Sequence, residues 1–465
     1  MSLIRTISGV RGVNGVTLTP NIIVDHIVAF TRLLESPPYN QSQKTIVVGR
    51  DSRVSGPWIE MLVNGTLVSC GYHVIHIDIA TTPTVQFIVQ QTNSSGGIVI
   101  TSSHNPIEWN GLKFVGHDGL FISPEGCERL FQLADQKAPI ERFATYDKLG
   151  HVTKRSDSNQ NHLDAIFKLP YINLDKIRQM KFKVCLDSVN GAGGPIMTSL
   201  LNQLGCSVHG INIEPTGVFA HTPEPVPANL GQLCESVKQQ GADFGIAVDP
   251  DVDRCVFIDE NGQPLGEEYT LAFAVEFMLG EVGRKGVVCK NLSSSRVLDD
   301  IAKKYGSTVV CAPVGEIQVA QRMVQQNAVI GGEGNGGVML PDIHIGRDAP
   351  VAAVLALQLL ANRCARKISQ FKATLPQYEI VKLKAAIEGL DPDAILSAYK
   401  TQYRGKEGVI VNEEDGLKID APEWWVHLRK SNTEHIIRVI AEAKTVEEAT
   451  AIANKFIQEI ESSRK

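Results

Sequence analysis

Three times along this chain an apolar, β-branched run empties into a polar loop and then into a helix-like stretch, and this repetition restricts the fold more than any other feature. The runs are Thr45-Ile-Val-Val-Gly-Arg-Asp, Lys183-Val-Cys-Leu-Asp-Ser and Lys285-Gly-Val-Val-Cys-Lys-Asn. Each is followed by a second strand-like run that ends in a small-residue or charged loop, at residues 98–106, 244–254 and 328–337. Strands alternating with helices build α/β layers, so the pattern predicts three similar mixed α/β domains. Ligands of open α/β sheets collect at the carboxyl ends of the strands, and three such ends facing one cleft would make an active site between domains.

A chain of 465 residues is too long for one hydrophobic core. The polar, irregular stretch 140–160 marks a first boundary, and Asp259-Glu-Asn-Gly a second, although a turn inside a domain would read the same. After Arg366 the pattern changes to strand-like Gly408-Val-Ile-Val, Trp424-Trp425-Val-His-Leu and 436–441, then a closing amphipathic helix from Val446. The expected division is 1–150, 151–256 and 257–370 for the α/β domains, and 371–465 for a smaller α+β domain.

Composition removes several classes of function. With 43% apolar and 21% charged residues the chain is not a disordered one. Against 45 Lys and Arg stand 51 Asp and Glu, a net charge of −6, which argues against a broad nucleic-acid surface and leaves room for a local anion pocket. Nine cysteines without a Cys-x-x-Cys pair point to a reducing cytosol rather than a disulfide framework. The N-terminus lacks a signal-peptide core, and the apolar stretch 351–361 is too short to span a membrane. A soluble cytoplasmic protein is expected.

Gly96-Gly-Ile-Val-Ile reads as a buried strand, and Asn105-Pro106 as the turn after it, so Thr101-Ser-Ser-His-Asn-Pro presents Ser103 at a strand end. A serine hydroxyl is a weak nucleophile that needs a base, a metal or phosphorylation, and an ordinary capping turn would look similar. His104 is a proton carrier or a hydrogen-bonded turn residue. The stronger signal is Phe244-Gly-Ile-Ala-Val-Asp-Pro-Asp-Val-Asp-Arg. If the backbone stays extended, Asp249, Asp251 and Asp253 share one face, where they repel unless a cation neutralises them. Hard oxygen ligands favour Mg²⁺ or Ca²⁺ over zinc. Arg254 either neutralises an aspartate or faces a phosphoryl group.

Gly332-Glu-Gly-Asn-Gly-Gly satisfies the spacing of a dinucleotide loop, but Pro341 prevents the helix that such a loop must open. What remains is a glycine frame presenting Glu333 and Asn335, groups suited to sugar hydroxyls. Arg429-Lys-Ser-Asn-Thr-Glu, between two strand-like runs, offers cations, hydroxyls and N–H groups to a phosphate, or is a solvated loop. Arg11 and Lys113 complete the cationic set.

In this order and spacing the four motifs resemble those of the α-D-phosphohexomutase family, and the likeness extends from Ser8-Gly-Val-Arg-Gly to the last helix. The resemblance implies three similar α/β domains and a fourth α+β domain around a central active-site cleft. It implies that Ser103 is a phosphoserine, and that Ser103, Asp249, Asp251 and Asp253 bind Mg²⁺. Arg11, Lys113, His104 and Arg254 would line the transfer site, Glu333 and Asn335 the sugar. Arg429, Ser431, Asn432 and Thr433 would hold the phosphate that is not reacting. The implied reaction interconverts hexose 6-phosphate and hexose 1-phosphate through a hexose bisphosphate, in a monomer or homodimer. Lys430 and His435 stand where the family pattern has prolines and Asn432 where it has glycine, although asparagine tolerates the left-handed backbone next best. Asn335 and Gly337 replace a serine and a histidine, a variant that looks like archaeal-type phosphoglucosamine mutases and favours glucosamine phosphate. Glucose or mannose phosphate is the alternative, and a non-catalytic sugar-phosphate binding protein or a phosphatase would use the same groups.

Overall fold

The computed structural model describes residues 2–136, 142–431 and 435–462. The chain divides into two compact units, residues 1–283 with 335–372, and residues 284–334 with 373–465.

The first unit begins with strands β1 (Ile4–Thr6), β2 (Gly9–Val13), β3 (Thr45–Arg50), β4 (His73–Ile79), β5 (Gly96–Ile100), β6 (Trp109–Gly116) and β7 (Val152–Lys154). They form one sheet in the order β1-β2-β6-β5-β3-β4-β7. The edge strand β7 lies just beyond the boundary expected at residue 150. A second sheet contains β8 (Lys183–Asp187), β9 (Ser207–Ile211), β10 (Phe244–Val248) and β11 (Cys255–Ile258), in the order β11-β10-β8-β9.

The repetition legible in the sequence is a repetition of topology. β3 lies between β4 and β5, parallel to both, and β6 returns antiparallel on β5. β8 lies between β9 and β10, parallel to both, and β11 returns antiparallel on β10. In the second unit β12 (Val287–Asn291) lies between β13 (Thr308–Ala312) and β14 (Ile330–Glu333), again parallel to both. The three polar-loop sequences singled out above follow β3, β8 and β12, the middle strand of each pattern. The short strand β15 (Gly337–Met339) belongs to the first unit.

Strands buried on both faces are apolar throughout rather than alternating. β5 is buried at all five positions. Its Gly97 has a structural reason: a Cβ there would lie 2.7 Å from Val89 Cγ2, so glycine lets the helix Thr82–Gln91 pack close. Ile46, Val48, Ile98 and Ile100 share a core with Phe30, Val63 and Leu67. Each such side chain contributes roughly 1.5–3 kcal/mol of burial.

The remaining strands, β16 (Glu379–Ala386), β17 (Ile410–Asn412), β18 (Leu417–Asp420), β19 (Trp425–Lys430) and β20 (Ile436–Ala443), form an antiparallel sheet in the order β16-β20-β19-β18-β17. Leu417, Ile419, Leu428 and Val439 pack against Tyr399 of the helix Pro392–Tyr403 and Phe456 of the helix Val446–Ser462. The architecture is therefore three α/β sheets followed by an α+β region. Among the described residues no helix is long and apolar enough to cross a membrane.

Candidate active site

β5 delivers Ser103 into the left-handed region at φ 49°, a conformation costing a non-glycine residue roughly 1–2 kcal/mol. Long-range contacts hold it there. Ser103 N–H donates to Thr101 Oγ1 at 2.9 Å, and that hydroxyl donates to Asp51 Oδ2 at 2.6 Å. Arg53, wholly buried, gives Nε–H to Asp51 at 3.0 Å. Its terminal nitrogens donate to the carbonyls of Ser103 (2.6 Å), Asn105 (2.7 Å), Pro106 (2.7 Å) and Trp109 (3.0 Å). A guanidinium has five N–H donors, and here all are used on one loop and its anchor. The serine is thus 2% exposed and rigidly held.

The aspartates converge differently from the extended arrangement that alternation predicts. β10 stops at Val248, and residues 249–254 form a turn with Val252 at φ 63°. Asp249 Oδ1 accepts the N–H groups of Asp253 (3.1 Å) and Arg254 (3.2 Å), closing that turn. One oxygen from each of Asp249, Asp251 and Asp253 lies within 4.8 Å of the others, and all three residues are wholly buried. Ser103 Oγ donates to Asp249 Oδ2 at 3.3 Å.

Asp251 accepts from Lys113 Nζ and from Thr82 Oγ1, each at 2.6 Å. Asp253 accepts from Arg347 Nη2 at 2.5 Å. Even so, Asp251 Oδ1 and Asp253 Oδ1 are buried without a hydrogen-bond partner. Orphaned buried carboxylate oxygens demand an explanation, and an all-oxygen set of this charge fits a hard divalent cation such as Mg²⁺. Burial, then repulsion from Asp253 and Asp251, pushes the Asp249 carboxyl well above its usual range. Burial acts the same way on Asp251 and Asp253, but Lys113 in one case and Arg347 in the other outweigh it and hold both low.

Cations surround the turn. Arg11 on β2 pairs across the ladder with Gly111 on β6, and Lys113, two residues on, shares the face of Gly111. Arg11 Nη1 donates to Asn105 Oδ1 at 3.3 Å, while its buried Nε has no hydrogen-bond partner. Arg254, 8% exposed, donates to Glu224 Oε1 at 3.4 Å. His104 Nδ1 lies 3.3 Å from Ser103 Oγ, and its Nε2 lies 3.8 Å from Glu224. Burial and the positive charges of Arg254 and Arg11 push the His104 imidazole down to about 3, so it is neutral near pH 7.

Ser103, His104, Arg11, Lys113, Arg254 and the three aspartates are therefore brought together in the first unit. Asn335 is also in that unit, its Oδ1 buried without a hydrogen-bond partner. Glu333, at the end of β14 in the second unit, is 1% exposed and accepts from Asn291 Nδ2 and Gly315 N–H, each at 2.8 Å. Arg429, on β19 in the same unit, pairs with Asp415 at 2.8 Å, and Ser431 N–H donates to Ile436 O at 3.1 Å. Lys430 is paired with Asp393 at 2.6 Å. Asn432 and Thr433 lie outside the described residues. Sequence reading overlooked Asp51, Arg53, Thr82, Glu224 and Arg347, and only Asp51, at the end of a strand run, carried a local signal.

Four family models match in succession. Alpha/beta/alpha domains I, II and III of phosphoglucomutase/phosphomannomutase match residues 3–140, 160–262 and 266–378, and the C-terminal domain matches residues 381–459. The chain belongs to the phosphoglucomutase/phosphomannomutase family. A phosphoglucomutase/phosphomannomutase of Thermococcus kodakarensis is 37% identical over 461 residues, 98% of each chain. A probable phosphoglucosamine mutase of Methanopyrus kandleri is 32% identical over 97% of this chain and 96% of its own. The crystal structure of a family protein from Burkholderia thailandensis superposes with a TM-score of 0.83 at 23% identity, covering 99% of this chain and 97% of that one, and supports the same fold. This member of the family is accordingly an enzyme, an isomerase that moves a phosphoryl group within one sugar phosphate.

Proposed function

We propose that the chain interconverts a hexose 6-phosphate and a hexose 1-phosphate, with Ser103 as the phosphate carrier and glucosamine 6-phosphate as the preferred substrate. The observation that carries this reading is Ser103 Oγ, rigidly presented 3.3 Å from the carboxylate of Asp249 and surrounded by buried cations. In the first transfer the phosphorus–Oγ bond of phospho-Ser103 breaks as the free sugar hydroxyl bonds to phosphorus. The hydroxyl loses a proton and Ser103 Oγ takes one up; the neutral His104 can relay it, its Nδ1–H at 3.3 Å donating to Oγ as Nε2 takes a proton up. The resulting bisphosphate turns over and returns its other phosphate to Ser103, so no phosphate is consumed.

Phosphoryl transfer depends mainly on positioning and neutralised charge. Lys113, Arg11 and Arg254 supply positive charge, and the Arg53 bonds keep the serine oriented. Ser103, Asp249, Asp251 and Asp253 would hold Mg²⁺, which when bound withdraws charge from the transferring group. Glu333 and Asn335 are assigned to sugar hydroxyls, and Arg429, Ser431, Asn432 and Thr433 to the distal phosphate. Support for glucosamine comes from the Glu333-Gly-Asn-Gly-Gly variant and the Methanopyrus relative. The 37% identity to the Thermococcus phosphoglucomutase/phosphomannomutase favours glucose or mannose phosphate as the second reading.

Intact-mass analysis of the active protein should find one phosphate, mapping to Ser103, and Ser103→Ala should lose at least a thousandfold in turnover with bisphosphate supplied. Full activity in that variant would remove Ser103 from the mechanism. A panel of glucosamine, N-acetylglucosamine, glucose and mannose phosphates decides the substrate, and a kcat/KM for glucose phosphate above that for glucosamine phosphate would reverse the preference. Inorganic phosphate released in place of the isomer would make the enzyme a phosphatase.

A further inference from the structure

Gly337 is not demanded by its own backbone, because its φ lies outside the left-handed region. A Cβ built there would instead lie 2.2 Å from Cδ and 2.8 Å from Cγ of Arg347, far inside van der Waals contact. The glycine keeps space for the stem of that arginine, which is 8% exposed and ends with Nη2 2.5 Å from Asp253 Oδ2. The backbone beside Arg347 is fixed as well. Asp348 N–H donates to Val338 O at 2.9 Å and Ala349 N–H to Val252 O at 3.2 Å. Asp348 caps the helix Ala349–Asn362 through Val351 N–H at 3.0 Å, and its other oxygen meets His162 at 2.8 Å and His344 at 2.9 Å.

These contacts converge on a strained turn. Val252, β-branched and at φ 63°, stores roughly 1–3 kcal/mol. Two of the bonds that keep the turn in place, Ala349 N–H on Val252 and Arg347 on Asp253, come from one short segment. Arg347 is the strongest positive charge on Asp253, but Lys113 at 3.6 Å and Arg254 at 3.8 Å act on it too, so charge alone does not set its orientation. What Arg347 adds is direction, a short bond to Asp253 from a stem whose path is set by Gly337.

We propose that Arg347, threaded through the space left by Gly337, is a positioning residue that holds Asp253 in the orientation in which the three-aspartate turn receives a divalent cation. This rests on the reading of that turn as a metal site.

The test uses the full-length protein with Mn²⁺ as a probe, followed by the electron paramagnetic resonance of the free ion, alongside kcat with Mg²⁺ and thermal unfolding. Arg347→Ala should weaken Mn²⁺ binding at least fivefold and lower kcat at least tenfold, with Arg347→Lys recovering part of both. Gly337→Ala should reproduce the Arg347→Ala defect, because its methyl group displaces the arginine stem. In the Arg347→Ala background, Gly337→Ala should add little further loss, since no stem remains to be displaced. Mn²⁺ affinity within twofold of wild type in Arg347→Ala, or losses that sum in the double variant, would overturn the proposal. Wild-type binding no tighter than that of an Asp249→Asn, Asp251→Asn, Asp253→Asn triple variant would instead sink the metal reading, and the proposal with it.

Discussion

Arg53 anchors the Ser103 loop with five side-chain hydrogen bonds. Its loss would leave Asp51 buried without its cation and take one donor from each of four carbonyls, of which Pro106 O keeps the N–H of Trp109 at 3.1 Å. Breaking a buried pair costs about 3–5 kcal/mol, so Arg53→Met should lower the denaturant midpoint by that equivalent and reduce kcat by orders of magnitude. Arg53→Lys should rescue little, since an ammonium has three donors where five are in use. None of this was legible in the sequence, because Arg53 reaches Ser103 across 50 positions and Arg347 reaches Asp253 across 94. Ser103 and the aspartates were legible because their signal is local, a chemically unusual run directly after an apolar strand. A residue whose role is to hold another residue has no such signature.

Elements were easier to read than their ends. β5, β8 and β10 are apolar because they are covered on both faces, and that pattern survives in one dimension. The shape of the 249–254 turn does not, because a valine in the left-handed region is uncommon and nothing in its spelling announces it. The helix Thr82–Gln91 offers a test at this scale. It docks its first residue on the turn, with Thr82 N–H donating to Asp251 O at 2.9 Å and Thr82 Oγ1 to Asp251 Oδ2. Thr82→Val keeps the shape and deletes the side-chain bond. Stability should fall by about 1–3 kcal/mol in chemical denaturation, and the Mg²⁺ concentration for half-maximal activity should rise.

The whole molecule should respond to mild acid through its buried histidines. Burial pushes His427 down to about 4, where the unfolded side chain titrates near 6.5. The unfolded state therefore binds the extra proton between those values, so stability is full above pH 6.5 and falls as pH drops toward 4. His26 and His104, held down to about 4 and about 3 by burial, act in the same window, so His427→Asn should reduce that slope in unfolding measured from pH 7 to pH 4.5, and an unchanged slope would exclude a contribution from His427. All nine cysteines are free and six are buried, so a reductant should leave the unfolding midpoint unchanged. The caged setting of Ser103 has an implication for how the enzyme is first switched on. A protein kinase grips its target as a pulled-out, extended segment, and this segment is tied down by Arg53 with its serine 2% exposed. If Ser103 carries phosphate as proposed, its priming calls for a donor small enough to enter the folded site, and a sugar bisphosphate that escapes one molecule before the second transfer could prime another.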